Sequence, residues 1–375
     1  MLTASTSQRE ASTQDRKTEC PAPIPFIADL SGSGTQSSQR SHPQGDTPMR
    51  KIYFDEDVDL APLKDRLIGV IGYGNQGSAQ ARNLRDSGLD VIVGNRRDAY
   101  YQEAQRDGFP VFSIAQATSR ADLVLVGIPD EIQQQVYERH MQKHIRGGQV
   151  LDFASSYGYR FKCIQPPPDV DVVMMSPRAM GVTVRELFVE GKGVPAFVAV
   201  GHDASGQARQ IALALAKGVG CTRAGVLECT FQDEADVNLF GEQALWPLFN
   251  QALLLSYEVL VEAGVPPELV ALEFYASGEA GEIFHKMAVE GMFEQTRYHS
   301  PTSQYGTLTR HEKLPSEEVR QRMKDTLRDI RNGRFAEEWA REQADGYPNL
   351  KRLRRQAFRH PLNRVEKNIR PLTPR

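Results

Sequence analysis

Three glycines near the start of the folded pattern have the spacing of a phosphate-binding loop. Gly72, Gly74 and Gly77 follow an apolar run at 67–71 with the spacing G-x-G-x-x-G. The first glycine permits a tight turn, the second lets the backbone approach a pyrophosphate, and the third lets helix and strand pack closely. The following helix presents unpaired N–H groups and its positive dipole end to the phosphates. The stretch predicts a dinucleotide site, with a structural glycine turn as the alternative.

Two arginines at the end of the next predicted strand indicate which dinucleotide binds. Asn95, Arg96 and Arg97 follow a strand at 90–94, and no Asp or Glu occupies the strand end. NAD sites usually place an acid there for the ribose 2′-hydroxyl, whereas a guanidinium pairs with a 2′-phosphate. We therefore expect NADPH, the alternative being that these arginines belong to a solvated loop. The other loop residues that we expect to contact the cofactor are Tyr73, Asn75 and Gln76.

Several side chains further along the chain have the character of catalytic or ligand-binding groups. Glu242 and Glu273 each lie in an otherwise apolar helical stretch, where an unpaired carboxylate is costly. Each therefore indicates a metal or substrate ligand, or else a structural ion pair. Arg178 follows a predicted strand and has the planar fork that clamps an acidic group. Ser155 also follows a strand, at the edge where ligands bind, either as a catalytic or as a cofactor-loop serine.

The elements that must position these residues alternate between strands and helices. This alternation implies right-handed crossovers and a Rossmann-like, doubly wound parallel sheet with helices on both faces. Ligands in such sheets bind outside the carboxyl ends of the strands, near the topological switch point. The predicted strands are 67–71, 90–94, 122–127, 149–154, 170–175 and 195–200, and the predicted helices are 75–87, 98–107, 113–119, 130–142 and 205–217.

After about residue 228 the pattern becomes helical only, with predicted helices at 233–264, 267–291 and 316–345, the last broken at Asn332-Gly333. Such a block cannot close a Rossmann sheet, so it predicts a second, all-α domain. The first residues are rich in Ser, Thr, Gln, Pro and Gly, which predicts disorder. The expected division is a disordered tail at 1–48, a Rossmann domain at 49–227, a helical domain at 228–345 and a basic, solvated tail at 346–375.

Composition restricts the classes of partner. The 375 residues carry a net charge of -3, with 40% hydrophobic and 25% charged residues. We therefore expect a soluble protein with neither nucleic acid nor a membrane as partner. The cysteines show no C-x-x-C spacing, which predicts reduced thiols and a cytoplasmic location. They are Cys20, Cys163, Cys221 and Cys229.

Motifs along most of the folded chain form a set that is far more specific than the glycine loop. They are Ile71-Gly-Tyr-Gly-Asn-Gln-Gly77, Ile128-Pro-Asp-Glu131, Gly193-Val-Pro-Ala196, Arg223-Ala-Gly-Val226, Leu239-Phe-Gly-Glu-Gln243, Leu260-Val-Glu-Ala-Gly264 and Asp329-Ile-Arg-Asn-Gly-Arg-Phe335. Together they resemble ketol-acid reductoisomerase in its short form. The resemblance implies a Rossmann domain, a knotted helical domain that binds substrate and metal, NADPH, two Mg²⁺ ions and a homodimer or larger homo-oligomer. It also implies alkyl migration in a 2-aceto-2-hydroxy acid, followed by hydride reduction of the 2-keto acid formed.

The metal ligands implied by the resemblance are partly replaced. Where the family has Asp and Glu four residues apart, this chain has Asn238 and Glu242, which still face the same way on a helix. Asn keeps a carbonyl oxygen but lacks the charge that a hard cation prefers. A second pair of family glutamates corresponds to Glu273 and Ser277. The candidates for the vacant second place are Glu279 and Glu282.

The resemblance also assigns the remaining site residues. Ser300 corresponds to the serine that binds the substrate carboxylate, and Pro129 and Asp130 lie in a cofactor-binding motif. Ser155 stands where the family has histidine, and Arg178 where it has lysine. Arginine holds its charge but does not readily donate a proton.

These replacements should affect alkyl migration most, because that step needs metal ions to stabilise charge on two oxygens. We expect an NADPH-dependent enzyme of branched-chain amino acid type chemistry, acting on a small acidic acetohydroxy or 2-keto acid. The alternatives are a reductase-only or isomerase-only enzyme of a specialised pathway, and a non-catalytic nucleotide-binding relative.

Overall fold

The structure is a computed structural model that describes residues 50–372, so the predicted tail at 1–48 lies outside the described residues. Within that range nine strands form one sheet. They are β1 (Ile52–Tyr53), β2 (Ile68–Ile71), β3 (Val91–Gly94), β4 (Val111–Phe112), β5 (Leu123–Val126), β6 (Val150–Phe153), β7 (Asp171–Pro177), β8 (Ala196–His202) and β9 (Val226–Glu228). The helices of this half are α1 (Asn75–Asp86), α2 (Ala99–Arg106), α3 (Ile114–Arg120), α4 (Asp130–Val136), α5 (Tyr157–Arg160), α6 (Gly181–Val189) and α7 (Ala208–Val219).

The order of the sheet is β1-β9-β8-β7-β6-β5-β2-β3-β4. From β2 the chain passes first to β3 and β4 on one side, and then to β5, β6 and β7 on the other. This reversal places the topological switch point between β2 and β5, where a ligand is expected. The predicted Rossmann-like, doubly wound sheet is therefore confirmed.

Two pairings depart from the predicted all-parallel arrangement, because β7–β8 and β1–β9 are antiparallel. Pro177 pairs with Ala196, so the connection from β7 to β8 leaves and returns at the same edge of the sheet. No crossover is needed, and the two strands therefore run in opposite directions. The consequence for the site is that α6 lies at this edge, against α1.

The strand residues alternate between two hydrophobic clusters, one on each face of the sheet. On β2, Val70 belongs to the cluster with α1 and α7, whereas Ile71 belongs to the cluster with α3. On β6, Val150 and Leu151 divide in the same way. All four side chains are fully buried, as expected of strands covered on both faces.

The remainder of the described chain is helical, as predicted. Its helices are α8 (Phe231–Phe240), α9 (Trp246–Glu262), α10 (Pro267–Ala271), α11 (Glu279–Glu290), α12 (Pro301–His311), α13 (Ser316–Arg331), α14 (Arg334–Ala344), α15 (Pro348–Phe358) and α16 (Leu362–Ile369). A π-helical turn at Gly241–Leu245 joins α8 to α9 in one rod, and a second π-helical turn at Leu272–Ala276 follows α10. The predicted break at Asn332-Gly333 separates α13 from α14.

The prediction of a solvated tail at 346–375 was wrong, because the chain forms α15 and α16 there. Val365 and Ile369 are buried with Ala271 and Ala276 in a small cluster. These two apolar residues are four positions apart on one helix face. The basic residues around them hid this pattern in the sequence.

Candidate active site

The glycine loop makes the tight connection from β2 to α1 that its spacing predicts. Gly72 has φ +93°, in the left-handed region that glycine adopts without strain. A Cβ atom on Gly77 would lie 2.0 Å from the carbonyl oxygen of Gly72, so this approach of helix to loop requires glycine. A Cβ atom on Gly74 would meet no atom within 4 Å. The space beside Gly74 is therefore available to a ligand at the N-terminus of α1.

Asn95 connects the loop to the end of β3. Its side chain accepts a hydrogen bond from the backbone N–H of Tyr73 at 3.3 Å and donates to Asp98 at 2.9 Å. The Tyr73 hydroxyl donates to Asp107 at 2.6 Å, and its ring packs in the core against Phe109. Burial, reinforced by Asp107, raises the pKa of Tyr73. The Tyr73 side chain therefore faces the core, which leaves its backbone as the part directed toward a cofactor.

A basic cavity of about 360 Å³ opens at the end of β3. Arg96, Arg97 and His140 line it, together with apolar groups of Phe112 and Ile114. Nε of Arg96 lies 2.7 Å from the carboxylate of Asp98, which orients that side chain. The cavity thus combines apolar walls with positive charge, as an adenine and an attached phosphate require.

The loop after β7 is held against the N-terminus of α1. Gln76 Nε2 donates to the carbonyl oxygen of Ala179 at 2.7 Å. A Cβ atom on Gly181 would lie 2.0 Å from the carbonyl oxygen of Asn75, so the two chains touch through backbone. This contact places Arg178 beside the nucleotide loop. Asn75 and Gln76 therefore belong to the cofactor loop and also connect that loop to the segment that carries Arg178.

Arg178 forms an ion pair with a buried glutamate that the sequence analysis missed. Its Nη1 lies 3.1 Å from Oε1 of Glu234, and its Nη2 lies 3.5 Å from Oδ1 of Asn238. Glu234 is 2% exposed and accepts hydrogen bonds at Oε2 from the N–H and the hydroxyl of Ser156. A buried carboxylate is tolerated when it is paired and hydrogen-bonded in this way. The structure thus brings Arg178 and Asn238, two of the predicted site residues, together beside Glu234.

A signal for Glu234 was present in the sequence. Glu234, Asn238 and Glu242 are spaced by four residues each, so they share one face of the helix. Thr230 caps that helix by accepting from the N–H of Asp233 at 3.0 Å. Counting back one further turn from Asn238 would have identified Glu234.

The carboxyl ends of β5 and β6 contribute a second pair of groups. Ser155 donates from Oγ to the carboxylate of Asp130, at 2.9 Å to Oδ1 and 3.2 Å to Oδ2. Burial, together with the nearby Glu234, Glu131 and Glu242, raises the pKa of Asp130 to about 6 against the opposing hydrogen bond from Ser155. An acid with that pKa can exchange protons near neutral pH.

Glu242 completes the group on the helical side, in the π-helical turn Gly241–Leu245. Such turns often occur at functional sites. Removal of its carboxyl from water raises the pKa of Glu242, and Glu234 raises it further, whereas Arg178 opposes the shift. The site therefore lies where α8 meets the carboxyl ends of β5, β6 and β7.

Three predicted residues are not part of this group within one chain. Glu273 lies in the second π-helical turn and is exposed, Glu279 begins α11, and Ser300 caps α12 by accepting from the N–H of Ser303. Across residues 50–372, no hydrogen bond or ion pair joins any of them to Arg178 or Glu242. The same range contains no group of three or more His, Cys, Asp or Glu residues arranged to hold a metal ion.

Of the two Mg²⁺ ligands that the resemblance implies on this helix, Asn238 already has another partner, as does the neighbouring Glu234. Arg178 contacts both Glu234 and Asn238, and Ser156 binds the other Glu234 oxygen. A hard divalent cation prefers several anionic oxygens and would be repelled by the guanidinium. The side chains of a single chain therefore do not fit the magnesium site that the resemblance implies.

The comparisons with known proteins agree with the fold and with the nucleotide loop. Residues 62–225 match the family described as acetohydroxy acid isomeroreductase, NADPH-binding domain. Residues 231–375 match the family described as ketol-acid reductoisomerase, C-terminal domain. The two matches meet near β9 and α8, where the sheet gives way to helices.

Individual relatives cover most of the chain. A ketol-acid reductoisomerase (NADP(+)) from Pyrobaculum neutrophilum is 45% identical over 326 residues, which are 86% of this chain and 99% of the relative. One from Methanocaldococcus jannaschii is 40% identical, over 86% of this chain and 98% of the relative. A solved NADH-preferring ketol-acid reductoisomerase from an uncultured archaeon superposes with a TM-score of 0.82 at 38% identity, covering 87% of this chain and 100% of the other. With both halves matched over nearly the full length of these relatives, the chain belongs to the ketol-acid reductoisomerase family.

Proposed function

We propose that the chain is an NADPH-dependent enzyme that reduces a small 2-keto acid, formed by alkyl migration from an acetohydroxy acid, at the cluster around Arg178. The observation that carries this proposal is the juxtaposition of that cluster with the glycine loop. Gln76 and Gly181 hold the two together. The glycine loop would hold the cofactor, and Arg178 lies in the loop that contacts it.

The proposed cofactor preference rests on the basic cavity at the end of β3. Because a solved relative prefers NADH, family membership alone does not decide between the two nicotinamide cofactors. Arg96 and Arg97 line the cavity, and arginine favours a 2′-phosphate over a hydroxyl. We expect Arg97→Ala to weaken NADPH binding about tenfold and NADH binding much less. Fluorescence titration of both cofactors measures this, with Arg106→Ala on α2 as the control.

The chemistry can be assigned to groups of this chain. NADPH supplies the hydride when bound. The Arg178 guanidinium can hold the negative charge that develops on the substrate carbonyl oxygen, because it keeps its charge at every working pH. Ser155 can pass a proton to that oxygen, since its hydroxyl is hydrogen-bonded to Asp130. The free acetohydroxy or 2-keto acid carries a carboxylate, for which Ser300 remains the predicted partner.

We propose a homodimer or larger homo-oligomer because the helical half leaves an apolar face uncovered. Leu255 and Val259 on α9 are 49% and 62% exposed and lie four residues apart, on one side of the helix. The rod Phe231–Glu262 has the length and hydropathy of a membrane span. However, its first turns carry Glu234 and Asp236, which pair with Arg178 and Arg331. A second copy of the chain therefore suits this face better than lipid.

We also place the protein in the cytoplasm. Cys163, Cys221 and Cys229 are free thiols, which suits a reducing compartment. The remaining cysteine of the sequence, Cys20, lies outside the described residues.

Oxidation of NADPH by the purified protein tests the function. One reaction contains 2-acetolactate and the other contains the 3-hydroxy-2-keto acid that alkyl migration would produce, each with and without Mg²⁺. Turnover of both substrates would show a complete reductoisomerase. Turnover of the second substrate alone would show that only reduction has been retained. The absence of turnover with either substrate, while NADPH still binds, would contradict the proposal.

A further inference from the structure

We propose that the Arg178 guanidinium is the resident cation of this site and that reduction at the site needs no divalent metal ion. This inference rests on the proposed function, since it concerns how the same site reduces a keto acid. The contacts of Arg178 disagree with the magnesium site that the resemblance implies.

The guanidinium is fixed from several directions. It contacts Glu234 at 3.1 Å, Ser176 at 3.3 Å and Asn238 at 3.5 Å, and it lies over the ring of Phe197 at 5.0 Å from the centroid. Its own backbone N–H donates to the carbonyl oxygen of Pro195, just before β8, at 2.8 Å. Contacts on both edges and one face set the position of the charge before any substrate binds.

The pair formed by Glu234 and Arg178 is balanced in charge without a metal ion. Glu234 is the buried anion, Arg178 is the cation that pairs with it, and Asn238 is neutral where the resemblance implies aspartate. Mg²⁺ would add two positive charges beside a guanidinium, with Glu242 as the one further carboxylate on this helix face. Asn238 thus lacks the charge of the family's carboxylate, and Arg178, which stands where the family has lysine, keeps a permanent positive charge in contact with it.

The reaction remains balanced with this cation. A C–H bond forms at C2 of the keto acid with the two electrons and the proton of the hydride of NADPH, which becomes NADP⁺. The π bond of the carbonyl breaks, and its electron pair moves to oxygen beside the guanidinium. That oxygen then takes one proton through Ser155. Because arginine remains charged, Arg178 stabilises the oxygen electrostatically and leaves proton donation to other groups.

The first experiment measures NADPH oxidation by the wild-type protein with the 3-hydroxy-2-keto acid, in EDTA and in Mg²⁺. We expect the two rates to agree within about twofold, since the cation is built into the chain. A larger loss of rate in EDTA would overturn the inference while leaving the proposed function intact.

The second experiment measures metal binding directly, so that it does not depend on turnover. Mn²⁺, which is paramagnetic, is titrated into wild type, Arg178→Lys, Asn238→Asp and the double variant, with Arg209→Lys as an ion-paired control outside the site. We expect the double variant to bind Mn²⁺ at least about tenfold more tightly than wild type and the control, because it regains a carboxylate and a less rigid cation. Wild type that binds Mn²⁺ as tightly as the double variant would overturn the inference, even if no substrate is turned over. If the double variant does not fold, stoichiometric Mn²⁺ binding by wild type at micromolar concentration is the contradicting result.

Discussion

The two halves of the molecule differ in how many large apolar side chains they leave exposed to solvent. In the sheet, Val70, Leu125 and Val173 are fully buried within one chain. In the helical half, Val259 and Phe293 are 62% and 74% exposed. Exposed apolar side chains are therefore concentrated in the helical half, where a second copy of the chain is the proposed partner that buries them.

The same difference separates the predicted site residues. The glycine loop and Arg178 lie in short connections of one sheet, and the structure brings them together. Glu273, Glu279 and Ser300 lie on helices whose neighbours in space are not fixed by a sheet. A site built from adjacent strand ends is completed locally, but one built from helices depends on how those helices, and a second copy, assemble.

Gly77→Ala should cause the largest loss of stability, because it disrupts the backbone contact between Gly77 and Gly72 in the Rossmann half. The added Cβ would lie 2.0 Å from the Gly72 carbonyl oxygen, and neither backbone segment can yield easily. We expect about 3 kcal/mol or more of lost stability, measured by urea unfolding. The matched control is Gly74→Ala, whose Cβ meets nothing within 4 Å. It should change stability by at most about 1 kcal/mol but weaken NADPH binding at least about tenfold. Equal stability of the two variants would contradict the prediction.

Leu255→Glu tests whether the helical half is completed by a second copy. A charge on the exposed face of α9 leaves the fold of one chain intact but opposes burial against a partner. We expect the oligomer to weaken about a hundredfold or more, seen as monomer by light scattering after size exclusion. Val189→Glu, on an equally exposed position of α6, should leave the oligomer unchanged. If both variants dissociate the oligomer, or if neither does, the prediction that the exposed face of α9 forms the interface is contradicted.

Glu234→Gln addresses the contact between the halves. It leaves Arg178 as a partly buried cation without its anion, which is costly, and loosens Ser156. We expect about 2–4 kcal/mol of lost stability and a fall in kcat of about a hundredfold, because the guanidinium is no longer held in place. Rescue of kcat by Glu234→Asp, at least in part, would show that position and charge both matter. An unchanged kcat in Glu234→Gln would show that the catalytic role of Arg178 does not depend on its ion pair with Glu234.

How far the sequence predicts this molecule depends on how local each feature is. Strand alternation and the spacing of Gly72 and Gly77 predicted the sheet and its loop, since both depend on neighbours along the chain. The antiparallel pairing of β8 with β7 was not predicted, because nothing in the strand sequence indicates the edge to which the chain returns. Arg178 was predicted as a substrate clamp, but its pairing with Glu234 spans 56 residues and requires the fold. The docking of α16 through Val365 was missed because its partners are about ninety residues earlier.

Asp130→Asn should produce the smallest change in stability. It tests whether charges on the helical half affect the pKa of the acid at the end of β5. Burial, Glu234, Glu131 and Glu242 together hold the pKa of Asp130 at about 6, above its ordinary value of 3.8. A raised pKa means that the folded state favours the protonated acid. The contribution of Asp130 to the free energy of unfolding is therefore fully present below pH 3.8 and is lost as the pH rises through 6.

We expect wild type to lose about 1–3 kcal/mol relative to Asp130→Asn between pH 4 and pH 7, as measured by urea unfolding. Glu138→Gln, which changes an exposed glutamate that is not among the groups shifting the pKa of Asp130, is the control and should follow wild type. The inflection near pH 6 should also move to lower pH in Glu242→Gln, because a carboxylate contributed by the helical half is then removed. An inflection unaffected by Glu242→Gln would mean that burial alone sets the acidity of Asp130, and that the helical half does not act on the strand ends through charge.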